Sequence, residues 1–338
     1  MPKLELHVHL EGSVTPSQLA GLACRHDTEL AALGVEEITQ RFFVYRDFYA
    51  FLGTFKAVCD HLRTPEDYAR VFSELAGRLA AQNVLYAEIL WTPSIARRNG
   101  VDRVAVFEGL LRAAAAAREQ YGIVVSWIFD CVRQWGAREA YETAWMAADY
   151  AGRGAVAFSV GGDEAGFPAR ELAGIFTFAR RAGLHTQAHA GEICGPESVW
   201  EMIEQCRVER ISHGCRSIED PELVEHLARS SIAIDTCLTS NRATGAVADL
   251  RQHPFFSFFE RGLAVSLSTD DPGLFLTDLA GEYELAADLF GLNWQQLCGL
   301  SRNAIGSSYL SPEEKEQMRQ RFQGLGVRGQ LSQPPEHF

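Results

Sequence analysis

The chain has 338 residues, 47% hydrophobic and 22% charged, an ordinary globular composition with enough apolar material for a large core. Its 31 Lys and Arg against 44 Asp and Glu give a formal charge of -13, which argues against a nucleic-acid groove or an anionic membrane surface as partner. Eight cysteines without a CxxC pair, a start lacking a signal-peptide pattern and the absence of a ~20-residue apolar run predict a reduced, cytoplasmic chain with no disulfide framework, no cysteine-only zinc site and no membrane span.

In chain order, apolar stretches at 4–10, 84–90, 124–130, 156–160, 185–189, 210–213, 232–237 and 264–268 predict eight strands. Between them, amphipathic stretches at 16–24, 65–81, 102–120, 138–152, 169–182, 196–205 and 221–230 predict helices, most opening near proline or a small polar residue and closing near glycine. Eight βα repeats over residues 1–328, without a domain-scale linker, predict one α/β domain, a (β/α)8 TIM barrel rather than an open doubly wound sheet. GxGxxG and GxxxxGK[ST] are both absent, so a dinucleotide or P-loop fold has no support. Extra helices are expected after strand 1 and at the C-terminus. The aromatic-rich residues 40–64 follow the first strand, so they form either a lid over the catalytic rim or an added helical layer. Residues 274–322 are expected to close the barrel, and 329–338 to be a mobile tail.

Reactive groups in such a barrel stand at the C-terminal ends of strands. Those ends carry His7 and His9, Gly161 to Glu164, His189 to Glu192, Ser212 to Gly214, and Ser268 to Pro272. His7 and His9 share one face of their strand, since side chains alternate. A His-x-His pair alone is weak evidence, but three imidazoles and a carboxylate suffice for a divalent metal, and His7, His9, His189 and Asp270 make that set. The mixture suits zinc, though iron(II) or cobalt also fits. A metal-bound water at neutral pH implies hydrolytic attack, with Glu192 and His213 as the nearby acid and base.

PKLELHVHLEGS at 2–13, GGDE at 161–164, HAGE at 189–192, SHG at 212–214, CLTSN at 237–241, TGAV at 244–247 and STDDP at 268–272, in this order, resemble the adenosine deaminase family of the amidohydrolase superfamily. The likeness spans nearly the whole chain. It implies one catalytic zinc on His7, His9, His189 and Asp270, since strand four lacks the lysine or glutamate that bridges two metals in dinuclear relatives. It implies a purine held by the Gly162 N–H at N3, Glu192 protonating N1 as water attacks C6, His213 orienting the attacking hydroxide and accepting its proton, and Asp271 fixing the water or meeting N7. The product is the 6-oxopurine and ammonia. On the substrate side the expected residues are His9, Glu11, Gly162, Asp130, Arg133 and Asp271.

Glu11 stands where many adenosine deaminases carry an aspartate that reaches the ribose, and relatives acting on free adenine also tend to have glutamate there. Residues 129–136 and 159–168 are in turn similar to the branch that deaminates aminodeoxyfutalosine, an adenine nucleoside with a benzoate at its 5′ end from the alternative menaquinone route. Arg133 or Arg46 would take that carboxylate. Asp130 is read either as an ion pair closing the rim with Arg133 or as a sugar contact; Asp163 and Glu164 as supports of the Gly162 turn; Cys237 as a packed thiol. His185 is read as structural, and His26, His61, His226 and His253 as surface or helix-end residues. A small purine nucleoside is the expected ligand, and no oligomeric state follows from the pattern. The alternatives are an adenine deaminase, a metal hydrolase of another amide or ester, and an inactive purine binder.

Overall fold

The computed structural model describes residues 1–167 and 169–330. Eight strands form a parallel barrel in sequence order: β1 (Lys3–His9), β2 (Val84–Trp91), β3 (Val124–Val132), β4 (Ala155–Gly161), β5 (His185–Ala190), β6 (Arg210–His213), β7 (Ala233–Thr236) and β8 (Val265–Leu267). The ring closes where Asp270, three residues past β8, bridges to Val8. There the His9 N–H donates to Asp270 O at 2.8 Å and the Asp270 N–H to His7 O at 2.9 Å. This closure, rather than an open edge, makes the (β/α)8 expectation correct.

Alternation along β1 explains how one strand serves both packing and chemistry. Leu4, Leu6 and Val8 join the apolar layer between strands and helices, while Glu5, His7 and His9 face inward, Glu5 to Thr269 after β8, His7 to Asp235 of β7 and His9 to His189 of β5. The barrel interior below the site combines an apolar cluster, Leu90, Ile128 and Ala157 with Tyr309, and a buried group of charged and polar side chains. Arg210 there reaches Glu88 at 2.6 Å, Gln187 at 2.5 Å and Asp235 at 3.1 Å, all fully or nearly fully buried. Each charge finds a partner, as burial requires.

Local signals set the helices. Thr15 and Thr64 each cap a helix through a reciprocal bond with the residue three further on, and proline follows in both cases. The expected helix 196–205 is α-helical over Pro196–Glu201 and then widens to a π turn over Met202–Cys206, ending at Arg207 with φ +52. In the aromatic-rich insertion, helices Val35–Phe42 and Phe48–Cys59 form, the second capped by Asp47. At the other end, helices Leu279–Phe290, Trp294–Ser307 and Pro312–Gln330 close the barrel. Leu310, Met318 and Phe322 pack against Leu4 and Leu6 of β1. Of the expected C-terminal tail, residues 331–338 lie outside the described residues. No helix among the described residues is long and apolar enough to cross a membrane.

Candidate active site

Four side chains from three parts of the barrel converge. His7 and His9 come from β1, His189 from β5, and Asp270 from the loop after β8. The three Nε2 atoms lie 3.1 to 3.3 Å from one another, and Asp270 Oδ1 lies 3.1 Å from that of His7 and 3.4 Å from that of His9. His7 Nδ1 lies 2.7 Å from Asp235 Oδ1 and His189 Nδ1 3.0 Å from Val160 O, so each ring donates backwards and turns its Nε2 lone pair towards the others. Lone pairs crowded this way repel unless a cation lies among them. A zinc ion with ligands at ~2.0–2.1 Å separates tetrahedral corners by roughly 3.3 Å, so the donor set fits that metal.

Asp270 and His213 both sit in the left-handed backbone region, at φ +64 and +69. Such conformations cost about 1–3 kcal/mol and persist where surroundings enforce them. For Asp270 the enforcing contacts are the two backbone bonds to β1. His213 ends β6 with Nε2 3.7 Å from Glu192 Oε2 and 3.9 Å from Asp270 Oδ2. Burial, reinforced by the negative Asp270 and Glu164, pushes the Glu192 carboxyl well above the usual range, which favours its protonated form. Burial lowers His213 to about 4, partly opposed by Asp270.

Glu192 is held from behind. The Glu164 carboxylate, itself buried, accepts backbone N–H bonds from Gly191 (2.5 Å), Glu192 (3.2 Å), Ile193 (2.8 Å) and Cys194 (3.0 Å), and the Ser198 hydroxyl. Four successive amides wrapped on one carboxylate make the loop after β5 a rigid mount. The front of the site opens into a cavity of about 620 Å3, walled by His9, Asp130, Gly162, His189, Glu192, His213, Asp270 and Asp271. Phe48, Phe51, Phe55, Ile95, Arg98 and Trp135 line the same cavity, with the Phe55 ring 6.4 Å from that of His9. The helix Phe48–Cys59 thus contributes directly to the cavity wall.

An adenosine deaminase family profile matches residues 2–324. The chain belongs to the adenosine deaminase family. Membership makes it an enzyme, a deaminase hydrolysing a carbon–nitrogen bond of an adenosine- or adenine-type substrate. Among relatives, the aminodeoxyfutalosine deaminase of Streptomyces avermitilis is 39% identical over 93% of this chain and 88% of its own. That of Streptomyces coelicolor is 40% identical over 93% and 82%, and an adenine deaminase of Rhizobium leguminosarum 33% identical over 95% and 99%. Among solved structures, an adenine deaminase from Arthrobacter aurescens superposes with a TM-score of 0.91 at 27% identity, covering 96% of this chain and 99% of that one. A zinc-bound amidohydrolase from Burkholderia ambifaria does so at 0.87 and 26%, covering 96% and 90%.

Several substrate-side expectations within this deaminase change on contact with the structure. Arg133 is buried and donates to His189 O at 2.5 Å, so it braces a metal-capable strand end instead of lining the cavity. No ion pair joins it to Asp130 among the described residues; Asp130 faces the cavity with Oδ1 unpartnered, and burial raises it to about 7. Arg46 lines a separate surface hollow beside Tyr45 and Arg242. Lys56 and Arg98 are the cations on the main cavity wall among the described residues, Arg98 lying over the Trp135 ring at 4.1 Å. Glycine is needed at 162 because φ is +97 and a Cβ would lie 2.2 Å from Gln134 Oε1. Glu164 supports the Glu192 loop rather than the Gly162 turn; Gln134 does the latter, accepting the Asp163 N–H at 3.0 Å.

Among the residues set aside, His185 pairs with Glu209 at 2.6 Å and stacks on Tyr309 at the barrel floor, and Cys237 is fully buried. His26 pairs with Asp67 and His226 lies against Trp200, while His61 is buried and bonds to Ala57 O. His253 departs from its expected surface role: it is buried and bonds to Asn241, which bonds to His213. No local pattern marks it, whereas Asn241 lies within the CLTSN stretch.

Glu11 accepts the Thr92 N–H at 3.2 Å, stands behind the cavity wall rather than on it, and is raised to about 8 by burial. The folded chain therefore keeps a proton there that the unfolded chain releases above pH ~4.5, so this residue lowers stability as pH rises from ~4.5 to about 8. Glu11→Gln removes that term. Its unfolding midpoint in urea, relative to the parent, is expected to rise progressively between pH 5 and pH 8; a pH-independent difference contradicts the buried, protonated Glu11.

Proposed function

We propose that the protein is a zinc-dependent deaminase of a 6-aminopurine nucleoside extended at its 5′ end, of the aminodeoxyfutalosine type, giving the 6-oxopurine and ammonia. The observation that carries this reading is that one cavity is lined both by members of the metal-capable cluster and by a set of aromatic side chains, with Arg98 and Lys56 also on its wall. Its volume, about 620 Å3, suits a ligand well beyond a bare purine. Sequence identity of 39–40% to the two Streptomyces aminodeoxyfutalosine deaminases supports the same substrate class.

His7, His9, His189 and Asp270 would hold the metal, which when bound supplies an activated water at neutral pH. The remaining steps belong to side chains. Gly162 N–H binds N3 and Asp271 meets N7, orienting the ring with C6 towards the cluster. Glu192 gives its proton to N1 while oxygen adds at C6, offsetting the negative charge the ring would otherwise gather. Of the two protons of the attacking water, one passes by way of a cavity-wall carboxylate to restore the Glu192 acid and the other moves from the C6 hydroxyl to the amino nitrogen. Collapse of the tetrahedral carbon then expels ammonia, while the aromatic wall excludes bulk water from the reacting atoms.

A second reading, action on free adenine, is favoured by glutamate at position 11 and by relatives such as the Rhizobium adenine deaminase at 33% identity. Ammonia release from adenosine, adenine and aminodeoxyfutalosine separates the two. The expected order of kcat/KM is aminodeoxyfutalosine, then adenosine, then adenine, with ~10²-fold or more between first and last. Adenine turned over best overturns the nucleoside reading.

A further inference from the structure

We propose that His253 and Asn241 are positioning residues that fix the tautomer of His213, so that His213 presents Nε2–H to the reacting oxygen and cannot take a proton from it. One hydrogen in this chain of contacts belongs to a backbone amide and is not free to move. The Phe255 N–H donates to His253 Nδ1 at 3.1 Å, so Nδ1 is an acceptor and the neutral ring carries its proton on Nε2. His253 is neutral because burial lowers it to about 3. Nε2–H then donates to Asn241 at 3.0 Å, which makes the receiving atom the amide oxygen, Oδ1.

The thiol of Cys215 points to that same atom at 3.1 Å, and burial holds this thiol in its S–H form. Cys215 Sγ also lies 3.7 Å from His253 Nε2 and 3.9 Å from His213 O, but the Asn241 contact is the shortest, so the thiol agrees with His253 in placing Oδ1 rather than Nδ2 there. Asn241 Nδ2 is therefore the group facing His213 Nδ1 at 2.9 Å, and it donates. His213 Nδ1 accepts, so the proton of the neutral ring resides on Nε2, the atom facing Glu192 and Asp270 across the site.

This reverses one role that the family likeness implies. A ring protonated on Nε2 donates to the attacking oxygen and stabilises charge on it; the proton which that oxygen loses passes to a carboxylate of the cavity wall. The inference concerns the chain's own hydrogen-bond order and is read without substrate, so it stands apart from the choice of amine under Proposed function.

The test is 15N NMR of histidine-labelled protein, metal-free and zinc-loaded, with the His213 signals assigned by their loss in His213→Gln. Nε2 protonated and Nδ1 unprotonated is the expected result; the opposite tautomer, or a doubly protonated ring at neutral pH, overturns the proposal. Asn241→Asp supplies a second readout, because a carboxylate at 241 accepts from His213 and draws the proton onto Nδ1. The expected outcome is a switched His213 spectrum, kcat lower by ~10²-fold or more, and KM and zinc content near those of the parent. An unswitched spectrum, or a switched one with parental kcat, contradicts the relay.

Discussion

Glu192→Gln is expected to bind zinc as the parent does and to lose between ~10²- and ~10⁴-fold in kcat, the range attached to a general acid. The carboxyl is within reach of the cluster through His213, it is buried, and burial with Asp270 and Glu164 raises it well above the usual carboxyl range. Glutamine keeps the volume and the Thr244 contact at 3.4 Å but has no proton to give to N1. The same chemistry sets the sign of the pH response. An acid must be protonated to act, so turnover is expected to fall as pH rises through the elevated Glu192 pKa, and this alkaline limb is expected to vanish in the residual rate of the glutamine variant. Retention of activity within tenfold, with metal bound, removes Glu192 from the acid role.

Glu164→Ala is expected to lower stability by ~3 kcal/mol or more and kcat by ~10²-fold. Its carboxylate accepts the N–H groups of four successive residues, 191 to 194, and each becomes an unpaired buried or half-buried donor when it is removed. The kinetic loss follows from displacement of Glu192, since a shift of ~1 Å in a reacting group costs about that factor. Glu164→Gln retains one acceptor oxygen and is expected to fall between the parent and the alanine variant on both scales. Urea unfolding and steady-state ammonia release check the pair. An alanine variant with parental stability contradicts the mount, and parental kcat despite lost stability limits Glu164 to folding.

The reasons these residues differ in legibility are physical. Period-two alternation puts His7 and His9 on one face, and the barrel rule puts His189, Glu192, His213 and Asp270 at one rim, so the set proposed to react follows from strand ends alone. The metal-capable cluster at 3.1 to 3.4 Å agrees with that reading. The supporting groups left no such trace. His7 and Asp235 are 228 residues apart and meet only because β1 and β7 face one interior. Glu164 crosses from the loop after β4 to the loop after β5, and His253 enters from a loop before a short helix. Arg133 misled for the same reason: its position near a strand end suggested the cavity, whereas its side chain turns to the His189 carbonyl. A strand end predicts which rim a residue occupies, and packing decides which way its side chain points.

The central claim is that His7, His9, His189 and Asp270 hold a catalytic metal for deamination in this cavity. It is tested most directly by measuring bound zinc and ammonia release from aminodeoxyfutalosine on the same sample before chelation, after chelation and after zinc is restored. The account predicts about one zinc per chain, loss of ammonia release in step with its removal, and recovery on reloading, with none of the three in Asp270→Ala. Undiminished ammonia release from metal-free protein would contradict it.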